Sequence, residues 1–318
     1  MSGNMEFKCQ LFIIILGVLY LNNVDAESQN FKSAGKSNLL DVAHNLGATT
    51  FLSLVIKTNL TAMLNQTGHV TVFIPSNKAF IDLPDEQKEN LKDLSYAKEI
   101  LLYHLVDGRH DKKSFRNEAL YKSKSKMDDE DTFLKVRVNI YHGGEIVTAG
   151  GSPIVSFDNE ASNGIVHIMS RVMYWPPRYG SVAQIVNIPI TTFMAYGLLD
   201  GGLSEQLNKK EPYTLFAPTD LPWEALPNKT MNKLRGNKTA IRRVMENHIV
   251  SGTYFTNGFK ANDTLTTMLG EELRVDSIIG INVTVNGSFL GFPDIAATNG
   301  VVHITTKIFW PTDFDWEH

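Results

Sequence analysis

The 318-residue sequence contains a single cysteine, Cys9. It lies in a stretch built like a secretion leader, with Lys8, an apolar run from Leu11 to Leu21, and Val24-Asp25-Ala26 offering small or apolar residues where a signal peptidase inspects. Residues 1–26 are therefore expected to be a cleaved signal peptide. The mature chain would then hold no cysteine, which excludes disulfides, thiolate metal sites and cysteine nucleophiles together. Long apolar runs are absent as well: about 11 residues fall short of the roughly 20 needed to cross a bilayer. No later segment does better, and the tail Thr312 to His318 is acidic and polar, without the hydrophobic tract of a lipid-anchor signal. The expectation is a secreted protein of the extracellular space or matrix, with neither a transmembrane segment nor a lipid anchor.

An excess of one charge is missing too. Lys plus Arg number 30 and Asp plus Glu 34, a net charge of −4, which argues against a nucleic-acid or polyanion partner. The chain has no Gly-x-Ser-x-Gly elbow, no phosphate-cradling glycine loop, no dinucleotide fingerprint and no His-x-x-x-His pair. Neither an enzyme nor a bound metal or cofactor is expected.

What the sequence does have is repetition. "NGIVHIMSRVMYWP" from Asn163 returns as "NGVVHITTKIFWP" from Asn299, "TVFIPSNKAF" from Thr71 as "TLFAPTDLPW" from Thr214, and "YHLVDG" from Tyr103 as "NHIVSG" from Asn247. Three matches in one order are a duplication. The boundaries read as 36–176 and 177–311, with a short acidic tail at 312–318. Roughly 140 residues per copy suffice for a core without disulfides. Between His104 and Asn163 the first copy is longer than the second, and aligning Leu134 with Leu273 places about five of the extra residues near "KSKSKMDDEDT". That block of opposed charges reads as a solvated loop, with a protein-docking loop as the alternative.

Each copy opens with helical spacing. Leu39, Val42, Ala43 and Leu46 follow the caps Ser37-Asn38, and a further helix is expected over Asp85 to Leu105. Strand-like alternation comes later, with Ile281, Val283 and Val285 facing a core, Asn282, Thr284 and Asn286 facing water, and a turn at Asn286-Gly287. Asn163-Gly164 and Asn299-Gly300 read as tight turns that need positive φ. Helices first and strands later indicate an α+β fold with a largely antiparallel or mixed sheet. Pro176 and Pro177 in "WPPRYG" are expected to stiffen the join between copies. Seven Asn-x-Ser/Thr sequons, at Asn59, Asn65, Asn228, Asn237, Asn262, Asn282 and Asn286, favour a glycoprotein of the secretory pathway.

The repeated phrases resemble the two boxes of the fasciclin-domain family of secreted and membrane-anchored adhesion proteins. The first box is matched in full by Thr71, Phe73, Pro75, Ser76, Asn77, Ala79 and Phe80, and in its first half by Thr214, Phe216, Pro218 and Thr219. The second box is matched by Asn163 to His167 and Asn299 to His303. The resemblance implies two tandem domains, each a β-wedge of mixed strands with packed helices. It also implies cell adhesion and matrix organisation, with integrin-like receptors and matrix proteins such as collagen as partners; weak homo-oligomerisation is a further expectation. A soluble extracellular carrier of a lipid, pigment or other small apolar ligand is the alternative.

By the same resemblance Tyr103-His104 and Asp294-Ile295 are candidate receptor-binding residues. Read from the residues alone, Tyr103 and His104 end an apolar helical run and suit a core whose polar tips find partners. Pro293-Asp294 suits a turn with Ile295 packed inward, although an exposed Asp beside an apolar residue can complete the coordination of a hard cation held by a receptor. His167 and His303, each between apolar residues, are expected to be buried and hydrogen-bonded.

Overall fold

The computed structural model describes residues 37–66, 68–126, 132–173, 180–280 and 282–314. The expected leader, the acidic run from Asp128 to Asp131, Pro176 and Pro177, and residues 315–318 lie outside these. The first domain carries β1 (Val70–Pro75), β2 (Leu105–Asp107), β3 (Ala119–Lys126), β4 (Phe133–Tyr141), β5 (Ile146–Ala149), β6 (Ser152–Ala161) and β7 (Gly164–Met169). The second carries β8 (Tyr213–Pro218), β9 (Ile249–Ser251), β10 (Thr264–Thr266), β11 (Glu272–Ile279), β12 (Asn282–Val285), β13 (Ser288–Ala297) and β14 (Gly300–Thr305). Helices precede β1 and β8 and follow them. The fold is α+β, as the sequence indicates.

In the first domain the strands close in sequence order into a barrel whose neighbours are all antiparallel except β1 and β7. The second domain repeats the order, and the single bridge Val250↔Thr267 joins β9 to the end of β10. The parallel pair sets the two repeated phrases side by side, Phe73 opposite His167 and Phe216 opposite His303. All six residues of β1 are buried, because this strand has covered faces on both sides. Val70, Val72 and Ile74 pack under the helices, while Phe73 joins Val136, Val138 and Met169 inside the barrel. Leu215 and Phe216 divide in the same way in the second domain.

Local chemistry sets the element ends. Asn38 caps the helix Leu39–Asn45 by accepting the Leu40 and Asp41 N–H groups, and Asp41 returns a bond to the Asn38 N–H. The single helix expected over Asp85 to Leu105 is instead two, Asp85–Asn90 and Leu94–Tyr103. The Asp93 carboxylate starts a new helix by accepting the Ser95 and Tyr96 N–H groups, and only the second piece buries apolar side chains.

The charged block is also corrected. Lys122 to Lys126 belong to β3, because the Lys/Ser alternation has the strand period: Ser123 and Ser125 are buried while the lysines point outward. Barrel register moves the alignment as well. Val106↔Ser123 and Val250↔Thr267 place Tyr121 with Leu265, whose partners across the hairpin are Val136 and Leu273. Val136, not Leu134, is therefore the counterpart of Leu273. The β3–β4 hairpin then holds seven of the extra residues, since the offset drops there from 144 to 137.

The turn at Asn286-Gly287 is present, with φ of 48° and 70° between β12 and β13. The other two Asn-Gly pairs work differently. Ala161↔Gly164 and Ala297↔Gly300 put the two-residue turns at Ser162-Asn163 and Thr298-Asn299, and each glycine opens a strand. Glycine is required there by close approach: a Cβ on Gly164 would lie 2.3 Å from the Val70 carbonyl oxygen, and one on Gly300 1.8 Å from that of Tyr213. The asparagines tie helices to the sheet. Asn163 accepts the Leu39 N–H and donates to the Leu64 carbonyl; Asn299 accepts the Val182 N–H and donates to the Leu207 carbonyl.

The domains meet on the outer face of β4. Val136 and Val138 enter the barrel, yet the outward Arg137, Asn139 and Tyr141 are buried too, because the segment Thr253–Lys260 lies over them. Asn139 Nδ2 and the Tyr141 hydroxyl both donate to the Thr253 carbonyl, at 3.2 and 3.0 Å, and the Phe255 N–H donates to the Tyr141 oxygen at 3.1 Å. Glu118 accepts the Thr253 N–H at 2.7 Å and pairs with Arg137 at 3.1 Å. Gly151 and Gly258 make room for rings: a Cβ on either would fall within 2.6 Å of Phe255 or Tyr141, respectively. This junction fixes the relative orientation of the two domains.

Candidate functional site

The Tyr103-His104 pair sits where the helix Leu94–Tyr103 runs into β2, and both side chains are buried. The Tyr103 hydroxyl donates to the Lys135 carbonyl at 3.3 Å. Burial raises its pKa. His104 Nε2 accepts the Met173 N–H at 3.0 Å, so the proton is on Nδ1, 2.8 Å from the Ile100 carbonyl oxygen. His248 repeats this with Phe309 and Val244, both contacts at 2.8 Å. Burial pushes both imidazoles down to about 4. In place of Tyr103 the second domain has Asn247, which donates to the Phe309 carbonyl and accepts from the Thr267 hydroxyl.

His167 and His303 are buried in the opposite tautomer. Each Nδ1 accepts a backbone N–H at 3.1 Å, from Asp158 and Asp294 respectively, so Nε2 carries the proton to the His110 or Tyr254 carbonyl. Burial lowers the pKa of each. With both nitrogens engaged by backbone, these histidines are spacers that hold three chain segments together.

Asp294 is thereby explained at the level of the backbone. Asp158 and Asp294 both have left-handed φ, 59° and 64°, at bulges in β6 and β13 that swing their N–H groups onto the histidines. Asp158 accepts the Lys112 N–H at 2.8 Å; Asp294 accepts the Thr256 N–H at 2.7 Å and also the Thr256 hydroxyl. Each carboxylate therefore accepts the first N–H of a 3₁₀ turn, Lys112–Ser114 or Thr256–Gly258, and in the first turn Asp111 supplies the N-cap as well by accepting the Ser114 N–H. Asp294 keeps 25% side-chain exposure, Ile295 packs partly against the core, and the neighbouring Phe292 is 62% exposed.

The structure thus does not bring the two candidate pairs together: Tyr103-His104 is interior to the first domain, and Asp294-Ile295 edges the second. All seven sequon asparagines are exposed. Sequence reasoning missed Glu118, Arg137, Tyr141 and Phe255 at the junction. For Arg137 and Tyr141 the only signal was large or charged side chains at the outward positions of an alternating strand, which a solvent-facing strand would show equally; Glu118 and Phe255 lie outside the strands and carried no periodic signal.

Two copies of this frame correspond to a known domain. The Fasciclin domain family model matches residues 46–175 and 189–311. Transforming growth factor-beta-induced protein ig-h3 of Sus scrofa is 28% identical over 281 residues, covering 86% of this chain and 40% of its own length. Periostin of Homo sapiens is 25% identical over 272 residues, covering 84% of this chain and 31% of its own. The chain thus spans well under half the length of these curated relatives. A solved FAS1 domain pair from the insect cell adhesion molecule Fasciclin I aligns with 85% of this chain and 98% of its own, at 21% identity and a TM-score of 0.40.

Proposed function

The chain belongs to the fasciclin-domain family, and we propose that it is a secreted, non-enzymatic adhesion protein of the matrix or cell surface, binding integrin-like receptors and matrix proteins such as collagen. The junction carries this reading. Burying Arg137, Asn139 and Tyr141 beneath the second domain makes the pair one semi-rigid body. Two weak surfaces on such a body reinforce each other through effective concentration without an orientational cost at each encounter.

Tyr103 and His104 are enclosed, so any influence they have on adhesion runs through the packing of β2. Receptor contact is assigned to the bend Phe292–Ile295. The Asp294 carboxylate has about four lone-pair sites and spends two on Thr256, leaving capacity for a hard cation held by a receptor. The lipid-carrier reading is the weaker one, because a cleft of about 730 Å³ mixes the apolar Ile140, Tyr254 and Leu265 with Asn117, Glu118, His142, Asn262 and Asp263, polar groups that a lipid chain would leave unpaired.

The test is cell spreading on the immobilised chain with calcium and magnesium, with chelator, and with Phe292→Ala or Asp294→Ala. Spreading should need the cations and fall with both variants. Because Asp294→Ala also frees Thr256, the exposed Phe292 is the cleaner probe. No attachment above an albumin coat sinks the adhesion reading, and attachment indifferent to chelator and both variants sinks the integrin-type mechanism.

A further inference from the structure

The 730 Å³ cleft lies along the domain junction, with walls from both domains. Its size is in the ~300–1,000 Å³ range of small-ligand pockets. Three aromatic rings line it, Tyr141, Tyr254 and Phe259, the two tyrosines with centroids 6.3 Å apart. Between them stand amides, hydroxyls and carboxylates, and no Lys or Arg is among the lining residues. A phosphate or sulfate group would find no cation there, and a lipid chain would strand the polar groups. Ring faces beside mixed donors and acceptors suit a neutral polyhydroxylated ring, with apolar C–H faces and polar edges. Thr253, in the wall, is buried, and its hydroxyl meets no partner among the described residues.

One wall carries an attachment motif for such a ligand. Asn262-Asp263-Thr264 is a sequon, and both Asn262 and Asp263 line the cleft. Asn262 is exposed with left-handed φ of 72°, its Oδ1 is held by Arg274, and its Nδ2, the atom that is glycosylated, donates to nothing among the described residues. We propose that the cleft is a saccharide site, filled by the first sugars of an N-linked glycan on Asn262, which lie across Tyr254, the least buried of the three lining rings, and seal the seam between the domains. This rests on export through the secretory pathway, as in the function proposed above.

The full chain secreted from a eukaryotic host supplies the test. Glycopeptide mass spectrometry reads occupancy at all seven sequons, and hydroxyl-radical labelling reads the exposure of Tyr254. Occupied Asn262 should slow labelling of Tyr254 about threefold or more relative to Thr264→Ala, whose replaced side chain is exposed. If Asn262 is bare while other sequons are occupied, export stands and the source is tested separately by titrating N,N′-diacetylchitobiose into the bare chain. Saturable shielding of Tyr254 that Ser251→Trp abolishes, a substitution at an exposed lining position that leaves the core intact, supports the same site filled from outside. Labelling of Tyr254 that neither the glycan nor the disaccharide alters overturns the proposal.

Discussion

One sheet face has opposite fates in the two copies. In the first domain Arg137, Asn139 and Tyr141 are covered by the second domain; barrel register gives Arg274 and Asp276 as counterparts of the first two, and both are exposed. The covering segment differs equally: where the second domain offers Phe255 and Gly258, the first has Asp111 and Ser114. A head-to-tail contact of this kind propagates only when both surfaces recur on each unit. Here neither does, so this contact is made once between the two described units. Interior residues stayed alike because each meets the same neighbours, whereas outward residues diverged once only one face had a partner.

The sharpest way to test the shared frame is Gly300→Ala. A methyl group 1.8 Å from the Tyr213 carbonyl oxygen forces β14 off β8, and the second domain should lose at least about 4 kcal/mol. Gly164→Ala should do the same to the first domain. Urea unfolding followed by domain-specific hydrogen exchange checks both; if either variant is tolerated, the close-approach explanation fails.

Acid should act on both copies together. His104 and His248 titrate near 4 when folded and near 6.5 when unfolded, so between those values the unfolded state binds more protons and stability falls as pH drops. The loss approaches about 3 kcal/mol per histidine by pH 4 and vanishes above about pH 7.5. Denaturant titrations across this window should show the slope, and His104→Gln with His248→Gln should flatten it. A stability that is level from pH 7 to 4.5 contradicts the neutral tautomers.

The difference between copies is tested at the junction. Glu118→Ala leaves the Thr253 N–H without its acceptor and Arg137 without its carboxylate, with only the carbonyls of residues 118 and 298 to accept from it, and should cost about 2 kcal/mol of coupling. Calorimetry should then resolve two transitions where the parent gives one. Glu272→Ala, on the exposed counterpart face, should change stability by less than about 0.5 kcal/mol.

A smaller loss than at the junction concerns the two bulge aspartates. Asp158→Asn and Asp294→Asn should each cost about 1 kcal/mol by weakening a 3₁₀ cap. A much larger loss for Asp294 alone would break their equivalence.

How far the sequence could be read depended on where each residue's partner lies. The duplication, the helix opening at Asn38, the Asn286-Gly287 turn and the inward faces of Val283 and Val285 were legible, since each is set by neighbours a few positions away. The break at Asp93 and the strand through Lys122 to Lys126 were misread. In the first, one side chain's local capping outweighed a periodic pattern; in the second, the alternation was carried by serines, whose burial only barrel closure creates.

The sequence by itself determined that two similar α+β units follow one another, because core periodicity and turn chemistry are written in short stretches of chain. Only the tertiary structure decided what the outward residues do. It gave Asp294 a backbone to cap, and turned Arg137 and Tyr141 into the seam of a domain pair. Such roles depend on contacts between residues 38 positions apart for Asp294 and Thr256 and 112 apart for Tyr141 and Thr253, and no local pattern encodes those.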